Sequence, residues 1–165
     1  MKYYYYFQDW DDETMENLSI ADEDYAMLID LCFQYASSFS LSFLSHQFQE
    51  ANFPLTPYQV DDLPCGKFCC YFKCSDDTKR FLKERVHDFF GWLYTLDPSL
   101  PEDLTFYRND SSIFLWSETH EGICALFPHN DEDISACISK RGWHKQASST
   151  HHLLIPKNII TENAE

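Results

Sequence analysis

Basic residues are scarce in this chain and nearly absent from its first part. Residues 1–62 contain 12 Asp or Glu and a single basic residue, Lys2, so this part carries a formal charge of −11. Residues 63–165 contain 15 acidic and 11 basic residues and contribute only −4 to the total of −15. A concentrated negative field repels phosphate backbones and anionic lipid headgroups. The sequence therefore argues against direct binding to nucleic acid or to a membrane, and it favours a basic protein as partner.

Long apolar runs are missing as well. No stretch of about 18 apolar residues is present to span a bilayer, and the N-terminal residues lack the apolar core and cleavage site of a signal peptide. The 7 cysteines are odd in number, which in a chain without an export signal favours reduced thiols over a disulfide framework. These features predict a cytoplasmic protein.

Glycine and proline are few, with 4 and 7 residues, whereas hydrophobic residues make up 44% of the chain. This composition is typical of a globular protein and differs from that of disordered or fibrous chains. A length of 165 residues matches one domain. We therefore predict a single domain at residues 1–145, followed by a partly ordered tail at residues 146–165.

Apolar residues at helical spacing predict three helices. The first has one apolar face from Tyr25 to Ala36, with carboxylates in its first turn, where the positive end of the helix dipole favours them. The second begins after Ser75, a good N-cap residue. The third begins at Asn130 and ends before Gly142. The predicted helices cover about residues 19–36, 75–93 and 130–141.

Alternation of apolar and polar residues predicts strands. The clearest case is residues 39–43, where Phe39, Leu41 and Phe43 alternate with serines. Residues 46–66 contain three prolines and are predicted to form a long irregular connection. The fold class is therefore α+β, with a mostly antiparallel sheet packed against two or three helices. Further strands are predicted at 3–7, 67–74, 104–108, 113–117 and 122–127, of which the last three form an antiparallel meander.

The densest group of potential metal ligands is a cysteine cluster in residues 65–74. Structural zinc sites use two close pairs of ligands that are separated by about a dozen residues or more, and this cluster does not match that spacing. On a strand, Cys70 and Cys74 share one side with two phenylalanines, whereas Cys69 lies on the other side. Core or half-buried thiols are the main interpretation, and metal binding by Cys65, Cys69, Cys70 and Cys74 stays open as the alternative.

A polar cluster at a predicted turn is a candidate for catalysis. It contains Glu118, His120 and Glu121, and a histidine beside carboxylates on a loop is a candidate general acid or base. The chain has no Gly-rich phosphate loop, no G-x-S-x-G elbow and no H-E-x-x-H sequence. We therefore predict that the protein is not an enzyme and uses no cofactor. The alternative is a small enzyme that uses Glu118, His120 and a cysteine such as Cys124.

The strongest departure from an average globular domain is the acidity of residues 9–24. Such a surface beside a tryptophan favours a basic protein partner, because charge steers the encounter while aromatic rings supply buried contact. The alternative is an acidic face that only keeps the protein soluble. The predicted partner-binding residues are Asp9, Trp10, Asp11, Asp12, Glu13, Glu16, Asp22, Glu23 and Asp24.

Residues 100–128, LPEDLTFYRNDSSIFLWSETHEGICALFP, resemble the strand-rich part of bacterial immunity proteins, small acidic proteins encoded beside toxins of interbacterial competition systems. The resemblance implies a non-enzymatic inhibitor that binds one cognate toxin, often a cationic nuclease, and covers its active site. The charge argument agrees, because a nuclease must be basic around its site to hold phosphates. The sequence thus predicts an immunity protein that binds and neutralises a basic toxin.

Overall fold

Strands and helices make up most of the described chain. The computed structural model describes residues 3–8, 10–11, 16–17, 19–44, 54–90, 101–145, 155–156 and 158–159. The helices are α1 (Asp22–Tyr35), α2 (Asp76–Arg85) and α3 (Ser135–Ile138). The strands are β1 (Tyr4–Phe7), β2 (Trp10–Asp11), β3 (Glu16–Asn17), β4 (Ser38–Leu44), β5 (Gln59–Leu63), β6 (Lys67–Lys73), β7 (Glu102–Tyr107), β8 (Ile113–Glu118), β9 (Ile123–Leu126) and β10 (Trp143–Lys145).

One antiparallel sheet organises the fold. Within the described residues its eight strands lie in the order β10-β1-β9-β8-β7-β4-β6-β5, and β2 and β3 form a separate hairpin. Strands β7, β8 and β9 are neighbours and pair antiparallel, so the predicted meander is confirmed. The helices pack against this sheet, and the predicted α+β class with a mostly antiparallel sheet is confirmed.

The first predicted helix is confirmed as α1. Its apolar residues Tyr25, Leu28, Ile29 and Cys32 recur at helical spacing, and each is at most 1% exposed. Three carboxylates occupy its first turn, as predicted. The Tyr25 hydroxyl donates to the carbonyl oxygen of Leu82 at 2.8 Å. This buried bond ties α1 to α2.

The start of the second helix is also confirmed. Ser75 Oγ accepts a hydrogen bond from the backbone N of Thr78 at 3.2 Å. In return, the backbone N of Ser75 donates to Thr78 Oγ1 at 2.9 Å. This capping box satisfies two donors that the first turn of a helix leaves without partners.

The predicted end of the second helix is wrong. α2 ends at Arg85 and not near Leu93, because the chain becomes extended and pairs with the segment before α1. The backbone N of Phe89 donates to the carbonyl oxygen of Ile20 at 2.8 Å. Phe89 is buried all the same, although it is not part of a helix. Residues 91–93 lie outside the described residues.

The predicted irregular connection at residues 46–66 is wrong in its second half. Residues 59–63 form β5, which pairs antiparallel with β6 from Gln59 opposite Tyr71 to Leu63 opposite Lys67. No residue of β5 is fully buried, so the strand lacks the alternation that a buried face imposes on a sequence. Backbone hydrogen bonds to β6 hold it instead. Residues 46–53 lie outside the described residues.

The predicted third helix is shorter than expected. α3 begins at Ser135 rather than after Asn130, and the backbone N of Ser135 donates to Asp133 Oδ1 at 2.9 Å. In the segment before it, Glu132 is directed inwards to Arg108, with 2.6 Å between Oε2 and Nη2. Lys140 and Arg141 follow α3, and no basic residue lies in its last turn.

Apolar residues are buried on both sides of the sheet. The larger cluster lies between the sheet and the helices and includes Phe39, Phe72 and Cys70. The smaller cluster lies on the other side and includes Trp116 and Ile155. Ile155 therefore packs on the sheet, while the division into a domain at 1–145 and a tail at 146–165 stays a prediction.

Replacing Gly142 by Ala is expected to lower the free energy of unfolding by about 1–3 kcal/mol. Gly142 has φ +93°, and an added Cβ would lie 2.8 Å from Cζ of Tyr6 and closer still to Cε2. Both the backbone conformation and the ring oppose any side chain here. Urea denaturation measures the loss. Repeating the substitution in a Tyr6→Leu background separates the two causes, and an unchanged loss there would show that the ring contact contributes nothing.

Candidate functional site

The side of the sheet that faces away from the helices carries a groove. β4 explains its position, because its phenylalanines and leucine point into the helix-side core and its serines therefore lie on the opposite side. We call this opposite side the open face. The groove on it has a volume of about 340 Å³, and the residues that line it include Ser40, Ser42, Cys69, Asp103, Trp116 and Glu118.

Hydroxyl and thiol groups form part of the groove wall. Ser40 lies opposite Tyr71 on β6 and opposite Thr105 on β7. The Ser40 Oγ atom lies 3.1 Å from the hydroxyl oxygen of Tyr107. Burial raises the pKa of the Cys69 thiol, although hydrogen bonds with Tyr71 and Ser40 lower it in part. Cys69 is therefore a neutral thiol at neutral pH and not an activated nucleophile.

Two carboxylates, Asp103 and Glu118, give the groove its negative charge. Asp103 has a left-handed backbone conformation, with φ 54°, where β7 shifts its register against β4. Its Oδ1 accepts from the backbone N of Thr119 at 2.9 Å, and its own backbone N donates to Thr119 Oγ1 at 3.0 Å. Burial raises the pKa of Glu118, and the charges of Asp103 and Glu121 raise it further. The carboxylates therefore repel one another.

The basic side chains that act on Glu118 are bound to another carboxylate. His120 and Lys67 lower the pKa of Glu118 in part, but both side chains contact the carboxylate of Glu102. Its Oε2 lies 2.9 Å from His120 Nε2 and 3.9 Å from Lys67 Nζ. Glu102 is 5% exposed, so this cluster is partly shielded from water. An excess of carboxylates remains around the groove.

Among the described strands, β5 lies at the end of the sheet and exposes apolar side chains. In the described part of the chain the large exposed hydrophobic residues are Tyr58, Val60 and Leu63, at 49%, 42% and 38% exposure. Asp61 and Asp62 lie between them along β5. We call residues 58–63 the edge surface. The outer side of an edge strand offers backbone groups for pairing, and apolar groups rimmed by charge are typical of binding surfaces.

One side of the edge surface, which carries Gln59, Asp61 and Leu63, is continuous with the groove. Asp61 on β5 lies opposite Cys69 on β6, and Cys69 lies opposite Ser42 on β4. Gln59, Tyr71 and Ser40 form a second row in the same way. Neighbouring strands are about 4.8 Å apart, so both rows lead from the edge to the groove within a few strand widths.

The predicted partner-binding residues fall into two places in the structure. Trp10 and Asp11 pair with Asn17 and Glu16 in the β2–β3 hairpin. Asp22 and Glu23 are exposed at the start of α1. Asp24 is engaged within the chain, since its Oδ1 lies 2.8 Å from Lys140 Nζ. Asp9, Asp12 and Glu13 lie outside the described residues, and the predicted binding role of the whole set stays a prediction.

The alternative catalytic cluster is not assembled around Cys124. Cys124 is 0% exposed and belongs to the helix-side core, whereas Glu118 lines the groove on the open face. Burial raises the pKa of the Cys124 thiol well above its ordinary value. His120 is instead bound to Glu102. The three residues that the sequence grouped together thus face different surroundings.

The cysteine cluster is divided by the sheet. Cys70 is fully buried in the helix-side core, and Cys69 and Cys74 are half-buried, as the main interpretation predicted. Cys69 lines the groove on the open face. Within the described ranges, no three His, Cys, Asp or Glu side chains come together in a way that would hold a metal ion. The side chain of Cys65 lies outside the described residues.

The open face was missed in the sequence, although a signal for it was present. The serines that alternate along residues 38–42 indicated that one side of a central strand is polar, and this side carries the groove. The edge surface gave no comparable signal, because prolines at 54, 57 and 64 surround a strand with no buried residue.

None of the comparisons with known proteins assigns this chain to a family. Of the helices in the described residues, none is long and apolar enough to cross a membrane. No protein-family model matches the chain, and no curated protein and no solved structure matches it significantly, so the resemblance to immunity proteins stays a prediction from the sequence.

Proposed function

We propose that this chain is a non-enzymatic, acidic binding protein of the immunity type, which neutralises a basic protein toxin in the cytoplasm by covering part of its surface. The observation that carries the proposal is the edge surface. Leu63 and Asp61 lie on the side of the sheet that carries the groove, which is lined by further carboxylates, and Val60 is exposed on the other side of the same edge strand. Apolar contact with charge around it is the composition of a protein interface that selects a basic partner.

The charge distribution supports a partner of this kind. Lys79 and Lys83 form ion pairs with Asp30 at 2.7 Å and 3.0 Å, so these two basic side chains already have a partner within the chain. The 12 carboxylates of residues 1–62 have only Lys2 in the same part of the sequence. A toxin that cleaves nucleic acid is basic where it holds phosphates, and an acidic inhibitor complements that surface. A nuclease toxin is therefore the partner class that fits best.

Co-expression with the toxin encoded beside it tests the proposal. The chain is expected to restore the growth of cells that make the toxin, and the purified proteins are expected to form a one-to-one complex. Added salt should slow their association more than it speeds dissociation, because exposed charges act mainly on encounter. Failure to restore growth despite soluble expression of both proteins would contradict the proposal.

The double substitution Val60→Lys and Leu63→Lys is expected to weaken the complex about 10- to 100-fold, because it replaces apolar contact by repelling charge. Both side chains are exposed, so the fold should tolerate the change. Titration calorimetry with the toxin measures the affinity. Gln34→Lys with Ser139→Lys adds the same charge at exposed positions on α1 and just after α3. An equal loss of affinity in that control would rule out the edge surface as the contact.

A further inference from the structure

The groove on the open face has the chemistry of a cation site. We infer that it binds the guanidinium group of an arginine side chain from the basic partner, an inference that rests on the proposed function. Its volume of about 340 Å³ lies within the range of ligand pockets, roughly 300–1,000 Å³. Its wall combines carboxylates, a tryptophan and hydroxyl groups, which are the groups that recognise a planar cation.

A buried hydroxyl in the groove wall indicates a missing ligand independently of the carboxylates. Thr105 is 6% exposed and lines the groove. Among the described residues its hydroxyl has no hydrogen-bond partner, whereas the hydroxyl of Ser117, also in the wall, donates to the carbonyl oxygen of Leu104 at 2.9 Å. Buried hydroxyl groups are nearly always hydrogen-bonded. A donor that enters the groove would supply the partner that Thr105 lacks.

The carboxylates have acceptor capacity for the same ligand. Asp103 uses Oδ1 for the backbone of Thr119, and a carboxylate has a second oxygen to accept with. In the described part of the chain, Glu118 makes no hydrogen bond or ion pair with any side chain. A bound cation would also relieve the repulsion between the two groups, because it places positive charge between like charges.

Guanidinium fits this wall better than an ammonium group does. It presents five N–H donors in a planar fork, so one group can donate to several acceptors in the wall, whereas an ammonium group has three donors on one atom. It is also more weakly hydrated and stacks on aromatic rings. Trp116 supplies such a ring in the groove wall. The inferred ligand is therefore arginine rather than lysine.

A nuclear magnetic resonance titration of the isotope-labelled full chain tests the site without the toxin. The probe is the blocked tripeptide Gly-Arg-Gly, and the matched ligand carries citrulline, which keeps the shape of arginine and removes its charge. The arginine peptide is expected to shift the amide signals of Ser40 and Thr105 and the indole signal of Trp116. The citrulline peptide is expected to leave them unchanged. Equal shifts with both peptides, or shifts confined to other surfaces, would overturn the inference.

A variant pair assigns the binding to the carboxylates. Asp103→Asn with Glu118→Gln is expected to raise the Kd of the arginine peptide at least 10-fold, and asparagine tolerates the left-handed backbone at residue 103. Asp76→Asn with Asp77→Asn removes the same charge from exposed positions on α2 and should leave the Kd within twofold. An unchanged Kd in the groove variant, with its dispersed amide spectrum retained, would show that the groove does not bind the cation.

The peptide experiment tests the groove inference, and the toxin experiment tests the proposed function. If the peptide does not bind but the protein still neutralises its toxin, the groove inference is wrong and the proposed function stands. If the peptide binds in the groove and no toxin is neutralised, the guanidinium site stands and its assignment to a toxin is wrong.

Discussion

Replacing Glu132 by Gln is expected to lower the free energy of unfolding by about 3–5 kcal/mol, because it leaves a buried guanidinium without its counter-ion. Arg108 Nε and Nη2 donate to the two carboxylate oxygens of Glu132 at 2.7 Å and 2.6 Å. Both side chains are only 8% exposed. Arg108 also donates to the carbonyl oxygens of Ile113 and Phe127 at 2.8 Å and 2.7 Å. The pair therefore joins the meander to the segment before α3.

The stabilising contribution of this ion pair is expected to decrease at acid pH. Burial alone would raise the pKa of Glu132, but hydrogen bonds from Arg108 and from the backbone N of His129, with the charge of Arg108, lower it below its ordinary value. Glu132 therefore contributes stability that is complete above its unfolded-state pKa, about 4.3. That contribution is lost as the pH falls through the lower pKa of the folded state.

Urea denaturation between pH 7 and pH 3 measures both effects. Wild type should lose stability over this range, and Glu132→Gln should lose less, because the variant has no carboxylate to protonate at this position. Asp131→Asn is the control, since Asp131 is the exposed neighbour of Glu132 and its replacement should cost less than about 0.5 kcal/mol. A loss below about 1 kcal/mol for Glu132→Gln would show that the pair behaves as a solvated surface pair.

Elements with a buried face were predictable from the sequence. α1 and β4 each bury residues at the spacing of their secondary structure, so periodicity located both. The meander followed from turn residues between three apolar runs, because such residues end strands. In each case the local sequence carries the information that tertiary packing later uses.

Elements held by long-range partners were not predictable in the same way. β5 depends on pairing with β6, and its own residues are polar or exposed. The end of α2 depends on the strand-like contact between Ala21 and Asp88, which are far apart in the sequence. The non-helical segment before α3 contains Glu132, which pairs with the distant Arg108. Periodicity within a short window contains none of these contacts.

The candidate site, too, could be predicted from the sequence only in part. The acidity of the first part of the chain was evident from composition, and it predicted the class of partner but not a surface. The groove needs Ser40, Asp103 and Glu118 from three strands, and only the sheet order brings them together. Open-face residues are therefore absent from the predicted binding set, which drew on one continuous acidic stretch.

Alternating positions on β4 have separate physical roles. Phe39 belongs to the core between the sheet and the helices, and Ser40 beside it lines the groove. Both side chains are buried, but the helix side of β4 buries large apolar groups and the open face of β4 buries small hydroxyl groups. More of the packing free energy of this strand is therefore expected from its helix side.

Replacing Phe39 by Ala is accordingly expected to lower the free energy of unfolding by about 3–5 kcal/mol. The Phe39 ring lies opposite Phe72 on β6 and Phe106 on β7, with ring centroids 5.3 Å and 5.4 Å away. Removal of the Phe39 ring leaves a cavity between the sheet and the helices, which Phe72 and Phe106 can fill only in part. Urea denaturation measures the loss, with an unchanged far-ultraviolet circular dichroism spectrum as evidence that the variant still folds.

Ser40→Ala is the matched comparison, one residue along the same strand. It removes the hydrogen bond to the Tyr107 hydroxyl at 3.1 Å and the one to the Cys69 thiol, and is expected to cost about 0.5–1.5 kcal/mol for each. The difference between the two losses in free energy of unfolding measures how much more the helix side of β4 contributes to stability than the open face. Equal losses would mean that the open face is itself part of the stabilising core. In that case a partner could not reshape the groove without unfolding the sheet, and binding there would have to be rigid.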